Sequence, residues 1–168
     1  MTVAPGLPDP GPAEPAPITI ARRVRFGDCD PAGIVFTPRY AEFVFDAAEV
    51  WLERVMGLPI HAQLSGTETA TPVRSISVDL HLSLRPGDPF VCQVFVEAIG
   101  RTSFRLLVAG RRGDGRLSFV GRMTCVATDR SRRVTEPLSP GYRAVLSDYQ
   151  ARSGTPPGDA GPAATDQS

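Results

Sequence analysis

The chain contains no lysine: its eighteen basic side chains are all arginine, and eighteen acids balance them to a formal net charge of zero. The absence of lysine excludes Schiff-base chemistry and leaves planar guanidinium forks suited to phosphate or carboxylate. The absence of net charge removes any bulk electrostatic support for nonspecific binding to polyanions such as nucleic acid. Cysteine is scarce. Cys29, Cys92 and Cys125 form no CxxC pair and are odd in number, which fits reduced thiols rather than a disulfide framework. His61 and His81 lie far apart in sequence and lack the spacing of metal ligands on one helix face, so no metal site is expected. No apolar run approaches about 18 residues, and the N-terminus lacks the basic and apolar regions of a leader. Neither export nor a membrane span is therefore expected, and the cytoplasm is the expected location.

Proline, by contrast, is abundant and unevenly placed. Residues 1–17 hold six prolines and no apolar period, and residues 150–168 are rich in Gly, Pro, Ala, Ser and Thr. Both ends read as disordered tails around one domain spanning 18–149.

Within that domain the pattern alternates between two periods. Ile18 to Phe26 reads as a strand, with Ile18, Ile20, Val24 and Phe26 on one face, and it delivers Asp28 and Asp30. Pro31 to Gly33 then breaks the strand. Thr37 followed by Pro38 reads as an N-cap and first helical position. From Thr37 to about Met56 apolar residues recur at helical spacing through Tyr40, Phe43, Ala47, Val50 or Trp51, and Val55, with a stop at Gly57.

Leu58 to Ala70 shows no period and reads as a loop over a site entrance. Four strand-like runs follow: Thr71 to Leu84, Phe90 to Ile99, Thr102 to Arg111, and Leu117 to Thr128, the last pair joined through Gly113-Asp114-Gly115. Ser139-Pro140 opens a short helix ending at Tyr149. Five strands and one long helix imply an α+β domain in which a curved antiparallel sheet wraps the apolar face of that helix. Strands apolar on both faces further suggest a second buried surface and hence an oligomer.

Two carboxylates next to a helix start make a chemically useful corner. The free N–H groups of a helix N-terminus can stabilise an oxyanion while a nearby carboxylate attacks or deprotonates. The run Phe26-Gly27-Asp28-Cys29-Asp30-Pro31-Ala32-Gly33-Ile34-Val35 resembles the signature of the 4-hydroxybenzoyl-CoA thioesterase family of hotdog-fold proteins. Pro38 and Tyr40, Thr71-Pro72-Val73, and Arg101-Thr102-Ser103-Phe104 follow in the family's order.

The resemblance implies the hotdog fold, a homodimer or homotetramer, and hydrolysis of an acyl-CoA without metal or other cofactor. It assigns the catalytic carboxylate to Asp30, as nucleophile or as general base, and the carbonyl-polarising amide to the backbone N–H of Thr37. It also implies Arg101, Thr102 and Ser103 beside the pyrophosphate or pantetheine of CoA, with Thr71 among the substrate-binding residues. In the aromatic-acyl branch a helix carboxylate meets the substrate hydroxyl. Here Asp46-Ala47-Ala48 lies one residue further along, which rotates Asp46 by about 100° and brings Phe45 into that direction. Specificity for the 4-hydroxybenzoyl group is therefore not expected to carry over.

Other residues have plainer readings. Asp28 is expected to bond turn amides, Cys29 to fill space because no histidine lies nearby to activate it, and His81 to lie at a surface or interface. Glu68 is a candidate second acid. Arg111-Arg112 and Arg130 to Arg133 read as solvated turn charges, within reach of a neighbouring CoA. Two other functions compete with an acyl-CoA thioesterase: a thioesterase acting on an acyl-carrier protein, and a noncatalytic hotdog protein that binds acyl thioesters.

Overall fold

A computed structural model describes residues 15–57 and 69–158. Strand β1 (Ile18–Arg23) leads through a 3₁₀ turn (Phe26–Asp28) to helix α1 (Thr37–Met56). Then come β2 (Thr69–Ala70), β3 (Val73–Leu80), β4 (Pro89–Ile99), β5 (Ser103–Arg112), β6 (Leu117–Val126), β7 (Thr128–Asp129), β8 (Val134–Thr135) and helix α2 (Pro140–Ser153). Five strands make one antiparallel sheet in the order β1-β4-β5-β6-β3, and α1 packs across it. This is the hotdog arrangement. Of the expected tails at 1–17 and 150–168, residues 1–14 and 159–168 lie outside the described residues, while 150–153 belong to helix α2; the expected entrance loop from Leu58 to Ala70 lies outside them through Glu68.

Helix α1 buries Tyr40, Phe43, Ala47 and Trp51 of the stripe its periodicity predicts, with Trp51 rather than Val50 inward; Val44, Ala48 and Met56 widen the buried face, and Val55 is only half-buried. It reaches the sheet at Gly121 of β6, where an added Cβ would stand 2.1 Å from Val44 Cγ2. A glycine there lets helix and sheet backbones approach. The helix ends at Gly57, in the left-handed region, as its sequence predicts.

Several local readings shift by one or a few residues. Strand β1 stops at Arg23, and Phe26, expected inward, is 89% exposed because the 3₁₀ turn has already rotated it outward. The expected strand from Thr71 to Leu84 is shorter and lies at the sheet edge. Its alternation breaks where the N–H groups of both His81 and Leu82 donate to the Ser118 carbonyl, so His81 no longer continues the face of Asp79. Ile76 and Val78 are only half-buried there, and Leu80 is exposed. The small sheet β2-β7-β8 has no counterpart among the expected strands, because two-residue strands leave no period to read.

Helix α2 starts at the expected Ser139, whose hydroxyl accepts the Tyr142 N–H, and continues to Ser153, past its expected end at Tyr149. It takes the place of a longer β1. The Tyr149 hydroxyl accepts the Ile18 N–H and donates to the Val94 carbonyl, both at 2.8 Å, bridging a register pair of β1 and β4. Beyond it, Gln150 donates to the Val96 and Glu97 carbonyls of β4.

The outer sheet face also departs from expectation. Phe95, Leu107, Ala109 and Val120 form a second cluster there and are already buried in the single chain. Arg122, bridging Glu97 and Asp79, and Arg105 beside Glu97 lie on the same face. Long arginine stems cover apolar surface while their heads stay wet. Strands apolar on both faces therefore do not by themselves require a partner.

Candidate active site

The corner between β1 and α1 is held by backbone hydrogen bonds over a few residues. Cys29 and Val35 form an antiparallel bridge, the Asp30 N–H donates to the Ile34 carbonyl at 2.9 Å, and the Gly33 N–H donates back to the Asp30 carbonyl at 2.9 Å. Gly33 sits at φ 75°, a conformation that disfavours any side chain. The corner is tied to the sheet by the Val35 N–H on the Leu84 carbonyl and by the Leu84 N–H on the Tyr40 hydroxyl.

The two aspartates serve different turns. Asp28 closes the 3₁₀ turn, its Oδ2 accepting the Arg25 N–H at 2.8 Å, as the sequence leads one to expect of a structural acid. Asp30, half-buried, accepts the Ala32 N–H on Oδ1 at 2.9 Å, and its other oxygen has no partner among the described residues. The carboxylate is thus oriented through one oxygen and available through the other. Burial, followed by the charges of Asp28, Asp30 and Asp88, raises the Cys29 thiol above its ordinary value, which suits a filler and not a thiolate nucleophile.

The helix cap differs from expectation. Phe36, not Thr37, is the N-cap, because its N–H donates to the Asp28 carbonyl while its own carbonyl accepts the Arg39 N–H. Thr37 is therefore the first helical residue and Pro38 the second. Its amide has no acceptor among the described residues, and Pro38, lacking an N–H, offers no competing donor. One open amide and one open carboxylate oxygen accordingly belong to a single hairpin.

A separate cavity of about 220 Å³ lies further along α1. Phe45, Ala48, Trp51 and Leu52 of α1 line it, with Thr71 and Val73 at the start of β3, Phe104 and Leu106 of β5, and Met123 and Cys125 of β6. Its walls are apolar, and burial pushes the Cys125 thiol up to about 11, so that wall is uncharged at neutral pH. Among the described residues, Glu49 is the one charged side chain in the lining. Of the sequence candidates among the described residues, only Phe45 and Thr71 meet here.

Asp46 points to the other side of α1 and pairs with Arg22 at 2.9 Å in a groove against β1. Asp30 and Thr37 do not line the cavity. Along the helix axis Thr37 lies about 12 Å from Phe45 and about 22 Å from Leu52. Arg101, Thr102 and Ser103 sit at the β4–β5 turn, at the Thr71 end of the sheet: Ser103 pairs with Val126, whose N–H donates to the Pro72 carbonyl. Composition gave no sign of Glu49, Phe104, Leu106 and Met123 as lining residues. Only the inward phase of β5 and β6 identifies the last three.

Comparison with known proteins adds to this geometry. A family profile described as the thioesterase-like superfamily matches residues 24–146. A gentisyl-coenzyme A thioesterase structure aligns with a TM-score of 0.67 at 23% identity, covering 77% of this chain and 99% of the other. A 1,4-dihydroxy-2-naphthoyl-CoA thioesterase from Synechocystis aligns at 0.70 and 21%, covering 77% and 95%. A hypothetical protein from Staphylococcus aureus, solved in complex with CoA, aligns at 0.75 and 13%, covering 83% and 87%. These likenesses share the fold. The search of curated proteins finds no match.

Proposed function

The chain belongs to the thioesterase-like superfamily, and on that premise we propose that it hydrolyses an aromatic or medium-sized acyl-CoA to the free acid and CoA. Asp30 attacks the thioester carbonyl or activates water, and the Thr37 N–H receives the developing oxyanion. The observation that carries this reading is the pairing of an open Asp30 oxygen with an open Thr37 amide in one rigid hairpin. An apolar cavity without a facing Asp46 favours an aromatic acyl group other than 4-hydroxybenzoyl. The hydroxyaromatic CoA esters named for two structural neighbours lend support to that class.

The working unit is a homodimer. The corner and the cavity lie apart in one chain, and β3 connects their two ends, since Val73 lines the cavity while the chain beyond Leu80 reaches Leu84 under the corner. β3 is an edge strand, and Phe36, Phe45, Val73 and Leu80 along this side are exposed at 52%, 43%, 39% and 47%. Antiparallel pairing of β3 with a second copy sets Val73 of one chain opposite Leu80 of the other. Each cavity then meets the partner's corner.

The test is a hydrolysis screen over aromatic, aliphatic and hydroxylated acyl-CoAs and the same acyl groups on a carrier protein, run with wild type and Asp30→Asn. Turnover of aromatic acyl-CoAs that is lost in Asp30→Asn supports the reading. A preference for carrier-protein thioesters, or equal rates in the two proteins, contradicts it.

A further inference from the structure

The sheet has two edges, and the homodimer above uses β3. Strand β1 stands at the other end of the order β1-β4-β5-β6-β3. The Val24 N–H donates to the Asp88 carbonyl and the Val24 carbonyl accepts the Gly87 N–H, both on the β4 side. The Ile18 N–H points the same way, onto the Tyr149 hydroxyl that bridges to Val94 of β4. Alternate residues of a strand share a direction, so the backbone N–H and C=O groups of Ala21 and Arg23 point away from the sheet. Among the described residues no strand pairs with that side of β1.

A groove of about 770 Å³ runs beside this open edge. Residues 20–25 form one wall, and Arg39, Glu42, Phe43 and Asp46 of α1 form the other, with Asp28 at one end. Its acids are committed: Asp46 pairs with Arg22, Glu42 with Arg39, and Asp28 accepts the Arg25 N–H. Arg23 and Arg25 are exposed, and neither guanidinium has an acidic partner among the described residues. The uncommitted charge of the groove is therefore positive. The period of two sorts its apolar and charged parts, since Ile20 and Val24 pack toward the core with Phe43 while Arg23 and Arg25 fall on the opposite face of the strand.

We propose that the free edge of β1 is a docking site for an extended segment of a partner protein in which apolar and acidic side chains alternate. The segment's backbone pairs with Ala21 and Arg23, its apolar side chains lie beside Ile20, Val24 and Phe43, and its carboxylates meet Arg23 and Arg25. Pairing of β1 with β1 of a second copy brings Arg22, Arg23 and Arg25 against the same basic row, a like-charge contact that disfavours that occupant. The chain's own N-terminal segment carries Asp9 and Glu14, but Pro5, Pro8, Pro10 and Pro12 lack the N–H that strand pairing uses. The Arg25 end of the groove adjoins the turn that carries Asp30, so a docked partner sits next to the proposed chemistry.

The test titrates the full chain with a short capped peptide alternating valine and glutamate, with its valine–lysine counterpart, and with a peptide of residues 1–14. Affinity is read by calorimetry and backbone protection by amide hydrogen exchange. Two variants probe the two halves of the site: Arg23→Gln removes a charge, and Ala21→Pro removes an N–H that faces away from β4 and so leaves that ladder intact. The expected result is binding of the valine–glutamate peptide, slowed exchange at Ala21 and Arg23, and affinity weakened about tenfold in each variant and further by salt. The valine–lysine peptide is expected not to bind. Equal binding of the two charge patterns, unchanged exchange at Ala21 and Arg23, or full affinity in Arg23→Gln overturns the proposal. Tighter binding of the 1–14 peptide overturns it in favour of the chain's own N-terminus, and protection of the same amides that grows with protein concentration overturns it in favour of a second copy. Thioester turnover enters none of these readouts, so failure of the hydrolase reading leaves this one standing.

Discussion

The corner at Arg25–Thr37 and the cavity further along α1 are built in opposite ways. The corner is local: its geometry comes from backbone hydrogen bonds between residues close in sequence, with Gly33, Pro31 and Pro38 setting the path. The cavity is assembled from side chains of α1, the start of β3, β5 and β6, none of which forms it alone. A backbone-built hairpin can present an amide and a carboxylate at fixed separation, which chemistry demands. A side-chain wall can change its volume residue by residue without disturbing that geometry, which suits the recognition of varied acyl groups.

The division predicts that substitutions in the two regions act on different constants. Asp30→Asn keeps the shape of the hairpin but removes the charge, and kcat is expected to fall about 10³-fold with KM nearly constant. An unaltered kcat in steady-state assays would break the assignment of chemistry to the corner. Phe45→Ala trims the cavity wall, and KM for aromatic acyl-CoAs is expected to rise about tenfold while kcat holds, equivalent to about 1.4 kcal/mol of lost contact. A fall in kcat alone would place the cavity in the chemistry instead. Thr37→Ala is the smallest change, since the amide that matters remains and the hydroxyl makes no cap bond. Its kcat is expected to stay within about twofold of wild type, and a large loss would transfer the oxyanion role to the side chain.

The same division explains what the amino-acid sequence made legible. Proline and glycine impose backbone conformations wherever they stand, so the turn at Pro31–Gly33 and the helix start near Pro38 were readable without neighbours. The cap fell one residue away at Phe36 because the Asp28 carbonyl, across the Asp30–Ile34 turn, claims its N–H, a pairing that the spacing of Thr37 and Pro38 does not state. The edge strand β3 was the least faithful to its pattern: a register shift between Val73 and Ser75 and the doubled bond at Ser118 disrupt an alternation that looked regular. Asp46 needed Arg22 of β1 to reveal its role, and no local spacing encodes that pair. The cavity depends on the mutual phase of several elements, which one chain of letters does not state.

The central claim is that the Asp30 corner of one copy serves the cavity of another, and subunit mixing tests it most directly. Asp30→Asn and Phe45→Glu, each expected to be nearly inactive alone, are denatured together, refolded and assayed on an aromatic acyl-CoA. Random pairing makes half of the dimers mixed, and each mixed dimer holds one site with both an intact corner and an intact cavity. The account predicts recovery of up to about a quarter of wild-type activity. A mixture no more active than the two variants kept apart contradicts it.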